Sequence, residues 1–200
     1  MFGRDDLKNR GIWQDESGEK AATAEGGFFN AFESHFQGSE FTIRKHPQDL
    51  KNIYLDVSLP DEEMQAIYNP PEGIKQHGIT PDFAIDNTRT QKTIYVEIKR
   101  QDGWVEGKQR SAGRGNAHER SCKYFTPGLL LALRAHANIQ EAHLPFWLVL
   151  QGDITRDPCR VREIILWFDV YRNNCFFWRD NADNEVIYAH FEQHIKPIIS

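Results

Sequence analysis

At 200 residues and 40% hydrophobic content, the chain can bury one sizeable core but not two, so a single domain spanning 1–200 is expected. A charged fraction of 26%, no apolar run of bilayer length and a start, MFGRDDLKNRGIWQD, without an apolar stretch exclude a disordered or membrane-spanning class and point to a cytoplasmic protein with no membrane partner. A net charge of -5 argues against a polyanionic partner, yet Lys99 to Lys123 holds seven basic residues against three acidic ones, the composition of a phosphate-facing cleft or of a solvated charged face.

In chain order, Phe28, Phe29, Phe32 and Phe36 recur at helical spacing and predict an amphipathic first helix packed on a sheet. FTIRKH (41 to 46) and NIYLDVSL (52 to 59) are β-rich. Asp61, Glu62 and Glu63 then open a short helix, which the stretch from Asn69 to Gly73 ends. PDFAID (81 to 86) and TIYVEIKR (93 to 100) flank a polar segment and predict a hairpin, with Ile94, Val96 and Ile98 on one face and Tyr95, Glu97 and Lys99 on the other. A glycine-rich basic loop (101 to 115) follows. Asn116 is expected to cap a helix reaching Phe125, and Pro127 to start LLLALRAHA.

LPFWLVLQGDI (144 to 154) is apolar without alternation, as in a strand buried on both faces. Asp157-Pro158 opens a helix with Val161, Ile164, Ile165 and Phe168 on one face; Asn173-Asn174 turns into the strand CFFW; and residues 183 to 196 predict a last helix on Val186, His190, Phe191 and Ile195. Strands alternating with helices indicate an α/β sandwich with a mixed sheet. Cys122, Cys159 and Cys175 form no CxxC pair and the eight histidines stand singly, so neither a disulfide framework nor a His/Cys metal site is expected.

The chemistry gathers on Pro81-Asp82 and Glu97-Ile98-Lys99. A symmetric hairpin centred between Arg89 and Thr90 sets Asp82 opposite or near Glu97. Carboxylates so close repel unless a cation lies between them, and Mg²⁺, which prefers hard oxygen ligands, is the natural one. Lys99 shares the Glu97 face, so its ammonium can orient a water and balance charge during phosphodiester hydrolysis. Alternating Glu and Lys on a soluble edge strand would give the same pattern. Arg114-Gly115-Asn116-Ala117-His118-Glu119-Arg120 reads as a DNA-contacting head: arginine can pair with guanine and asparagine with adenine, and Ala117 leaves room for a thymine methyl. An ordinary capped helix with surface arginines is the alternative.

With Asp82, Glu97 and Lys99 in place, the chain resembles the PD-(D/E)xK nuclease superfamily, and GNAHERS (115 to 121) resembles the corresponding segment of the EcoRI-like restriction enzymes. EIKRQDGWVEGK, SAGRGNAHERSCK, FTPGLL, LPFW, GDITRDP and RVREI carry a closer likeness to one subgroup, strongest from Pro81 to Leu130 and from Pro145 to Ile164. The resemblance implies an α/β fold with a restriction-endonuclease-like core, a central mixed β-sheet flanked by helices. It also implies a type II restriction endonuclease that cuts double-stranded DNA as a homodimer, leaving 5′-phosphates and four-base 5′ overhangs. In it Asp82, Glu97 and the Ile98 carbonyl would bind Mg²⁺, Lys99 would serve the attacking water, and Arg114, Gly115, Asn116, Ala117 and Arg120 would contact DNA. Of these, Asn116, Ala117 and Arg120 match readers of an AATT centre and Arg114 a reader of the outer base pair, implying CAATTG. The other readings are a repair or junction-resolving nuclease of the same superfamily that follows DNA structure, and a DNA-binding module whose carboxylates are structural.

Overall fold

A five-stranded sheet with strands in chain order organises the computed structural model, which describes residues 22–103, 105–107, 118–180 and 182–200. The strands are β1 (Phe41–Lys45), β2 (Phe83–Asn87), β3 (Lys92–Arg100), β4 (Phe146–Gln151) and β5 (Cys175–Trp178). β1, β2 and β3 pair antiparallel, whereas β3, β4 and β5 pair parallel, so the sheet is mixed as expected. The hairpin turn closes on Asn87, whose side chain accepts the N–H groups of Arg89 (2.9 Å) and Thr90 (3.1 Å). Its ladder runs from Asn87↔Lys92 to Phe83↔Val96, which carries Asp82 to the level of Glu97.

Helices cover both faces, and the alternation of β4 shows how. Trp147 meets Phe28 and Phe32 of α1 (22–35), at ring separations of 5.7 and 5.8 Å. Phe146 points the other way, to Tyr124 (5.1 Å) and to Phe168 (6.1 Å). Every residue of β4 is consequently buried. On the Phe146 side lie a 3₁₀ segment (Glu119–Phe125) and α4 (Pro158–Phe168), with α3 (Pro127–Ala137) between them in the chain and α2 (Asp61–Ala66) between β1 and β2. Asp157 caps α4 by accepting the N–H groups of Cys159 and Arg160. Phe191 joins α1 on the Trp147 side.

Five expectations need correction. Residues 52–59 form no strand: Leu55, Val57 and Leu59 are exposed, and the backbone pairs with itself in three-residue turns such as Leu55 N–H to Asn52 O (2.7 Å). Among the described residues no strand pairs with this run, and β-propensity without a pairing partner has nothing to stabilise it. Residues 119–125 wind as a 3₁₀ rather than an α-helix, with Ser121 N–H bonded to His118 O. In α4, Ile164 and Phe168 are buried but Ile165 is exposed, and near the C-terminus Ile187 takes the buried place expected of Val186. The last helix is also interrupted: it runs as Glu185–His190, a π turn at Phe191–Ile195 and Lys196–Ile199, and Pro197, with no N–H to donate, sits where the winding changes.

Candidate active site

The register of the central strands decides what Asp82, Glu97 and Lys99 can do together. Glu97 and Lys99 lie level with Leu148 and Leu150 of β4, on the sheet face that Phe146 shares, at the end of β3. Asp82 sits where the chain enters β2. Its carbonyl accepts the His46 N–H (3.0 Å), while its Oδ2 accepts the Ile98 N–H at 2.6 Å.

Between the carboxylates lies the Lys99 ammonium. Its Nζ is 2.8 Å from Glu97 Oε1, 3.4 Å from Asp82 Oδ2 and 3.0 Å from the Ile98 carbonyl oxygen. Side-chain exposures of 14% for Glu97, 17% for Asp82 and 21% for Lys99 leave the cluster sheltered yet open on one side. Two carboxylate oxygens and a carbonyl oxygen thus surround one positive charge. The same three donors, hard and anionic in sum, fit a divalent cation such as Mg²⁺ with water and phosphate completing its shell. Among the described residues no group of three His, Cys, Asp or Glu side chains could hold a metal, so the donor set rests on Asp82, Glu97 and the Ile98 carbonyl.

Burial raises the pKa of Asp82 above its ordinary value, against the pull of Lys99 and the Ile98 N–H, and repulsion from Glu25 on α1 adds to the rise. For Lys99, burial works against the charge, but Glu97 and Asp82 outweigh it and lift the pKa above the usual lysine value. An ammonium so held suits orienting a water and offsetting charge rather than accepting a proton.

Of the expected DNA-contacting residues, Arg114, Gly115, Asn116 and Ala117 lie outside the described residues. Arg120 is exposed in the first turn of the 119–125 segment. Just before it, buried His118 stacks on Trp167 (5.3 Å, 7° between planes) and its Nε2 lies 3.2 Å from Glu163 of α4. Burial foremost, with Arg160 nearby, lowers the His118 pKa below its ordinary value. The preceding loop is fixed at its root, where the Gly103 N–H donates to Asp153 (2.8 Å) and the Glu106 N–H to Asp157 (2.9 Å).

Two further groups bear on the site. Tyr124 donates its hydroxyl to Glu97 Oε2 (3.2 Å), a contact that no spacing in the sequence signals because it depends on how the 3₁₀ segment lies across β3 and β4. Glu25 reaches Asp82 electrostatically, although helix solubility alone accounts for a glutamate there. Glu33 is exposed.

Comparison with known proteins places these observations in a family. The family model described as "Type II restriction enzyme MunI" matches residues 2–200. A curated relative, type II restriction enzyme MunI from Mycoplasma sp, is 51% identical over 198 residues, 98% of each chain. Among solved structures, the crystal structure of MunI restriction endonuclease in complex with cognate DNA superposes with a TM-score of 0.80 at 51% identity, covering 94% of this chain and 97% of that one.

Proposed function

The chain belongs to the MunI family of type II restriction enzymes, site-specific endonucleases, and we propose that it uses Mg²⁺ to hydrolyse phosphodiester bonds of double-stranded DNA at CAATTG. The observation that carries the metal and the catalytic assignment is the ring of three oxygens, from Asp82, Glu97 and Ile98, within 3.4 Å of one ammonium. Asp82, Glu97 and the Ile98 carbonyl hold the ion. Bound there, Mg²⁺ supplies polarisation of the scissile phosphate and a lowered pKa for water. Lys99 donates to the attacking water, keeps it in line with the phosphorus, and offsets the negative charge that grows on the phosphoryl oxygens.

Recognition falls to the segment before and within the 3₁₀ turn. Asn116, Ala117 and Arg120 read the AATT centre, Arg114 pairs with the outer guanine, and Gly115 contacts the DNA beside them. The MunI enzyme that this chain resembles was crystallised on its cognate DNA, which supports a duplex as the partner. A homodimer fits because a palindrome offers identical half-sites to identical subunits. Cleavage then leaves 5′-phosphates and four-base 5′ overhangs. One PD-(D/E)xK domain spans 1–200, and a cytoplasmic enzyme is the reading; among the described residues no helix is long and apolar enough to cross a membrane.

Digesting a plasmid that carries one CAATTG site with Mg²⁺ present, then sequencing the ends, tests this directly. A single cut with AATT overhangs is expected. Ends scattered over many sequences would overturn the site assignment.

A further inference from the structure

Both oxygens of the Glu97 carboxylate are engaged: Oε1 faces the Lys99 ammonium at 2.8 Å and Oε2 accepts the Tyr124 hydroxyl at 3.2 Å. Tyr124 itself is only 3% exposed, with its ring 5.1 Å from that of Phe146. A carboxylate gripped on both oxygens has its rotamer fixed before any ion arrives.

Tyr124 also belongs to the same 3₁₀ segment as exposed Arg120, and that segment is pinned at its start by His118 against Glu163 and Trp167 of α4. Its other end touches Glu97. We infer that Tyr124 is a positioning residue, which holds Glu97 in the orientation needed to bind a divalent ion and ties that orientation to the placement of the segment carrying Arg120. The inference rests on the proposed metal-binding role of Glu97. Partners that orient a metal ligand from behind typically contribute tenfold to a hundredfold in metal affinity.

Tyr124→Phe removes the hydroxyl and keeps the ring against Phe146. Free Mn²⁺ measured by electron paramagnetic resonance, in titrations of the full-length wild type, Tyr124→Phe and Glu97→Gln, gives each affinity without recourse to cleavage. About a tenfold weaker Mn²⁺ affinity is expected for Tyr124→Phe, with a melting temperature close to that of the wild type and a matching rise in the Mg²⁺ concentration that half-saturates cleavage. Wild-type Mn²⁺ affinity in Tyr124→Phe, alongside a clear loss in Glu97→Gln, would overturn the positioning role alone. Unchanged affinity in Glu97→Gln would overturn the metal-site reading and the inference with it.

Discussion

The main-chain N–H of Ile98 donates to Asp82 Oδ2 across 2.6 Å, so the carboxylate at the entry to β2 is held by the strand that carries Glu97 and Lys99. One backbone bond thereby fixes the spacing of the two acids, and the strand register does the rest. The site is assembled by the hairpin and not by loops.

Two carboxylates this close depend on the charge between them. Lys99→Ala should lower stability by about 1 to 3 kcal/mol when divalent ions are chelated, and Mg²⁺ should restore much of the loss. Urea unfolding with EDTA and then with Mg²⁺ measures both. Equal stability of variant and wild type in EDTA would mean that the ammonium does not neutralise the pair.

Arg114→Ala should relax discrimination at the outer base pair, because a bidentate contact to guanine is worth about 1 to 3 kcal/mol. Cleavage rates on CAATTG and on duplexes altered only at the outer pair give the ratio. A variant as selective as the wild type would remove Arg114 from the reading head.

Hydrophobic surroundings give His190 a pH signature. Burial lowers its pKa to about 4, with the ring stacked on Trp147 at 5.6 Å and against Phe176 at 4.5 Å. The unfolded chain takes up this proton near pH 6.5 and the folded chain only near pH 4, so the stability is complete above about pH 6.5 and lost as pH falls toward 4. The loss amounts to roughly 3 kcal/mol at full titration. Denaturation midpoints across this range should fall with acidity, and His190→Phe should flatten the fall; an unchanged slope would contradict the assignment.

Gly152 joins the end of β4 to the loop that follows β3. Its φ of 82° and ψ of -161° belong to a region that only glycine occupies readily, and a Cβ there would lie 2.6 Å from the Gln101 carbonyl oxygen. Gly152→Ala should cost at least about 2 kcal/mol, read by chemical denaturation. Wild-type stability would show that the two loops can separate without penalty.

Much of this was legible in the sequence because its periods are local. The stripe of Phe28, Phe32 and Phe36 follows the helical repeat, and the unbroken apolar run of β4 reflects cover on both faces. The polar turn between two matched runs gave the hairpin register, and with it the meeting of Asp82, Glu97 and Lys99. What escaped depends on distant partners. Residues 52–59 have strand composition but no strand beside them, and Tyr124 reaches Glu97 only because the parallel pairing of β3 with β4 brings Phe146 and Glu97 under one segment.

We propose that Asp82 and Glu97, the acids flanking Lys99, carry the hydrolysis. Cleavage of a CAATTG duplex by wild type and by Asp82→Ala, with Mg²⁺ and with folding and DNA binding checked in parallel, tests it most directly. A folded, DNA-binding variant slowed at least about a thousandfold is the predicted result; a variant that digests the duplex as the wild type does would contradict the account.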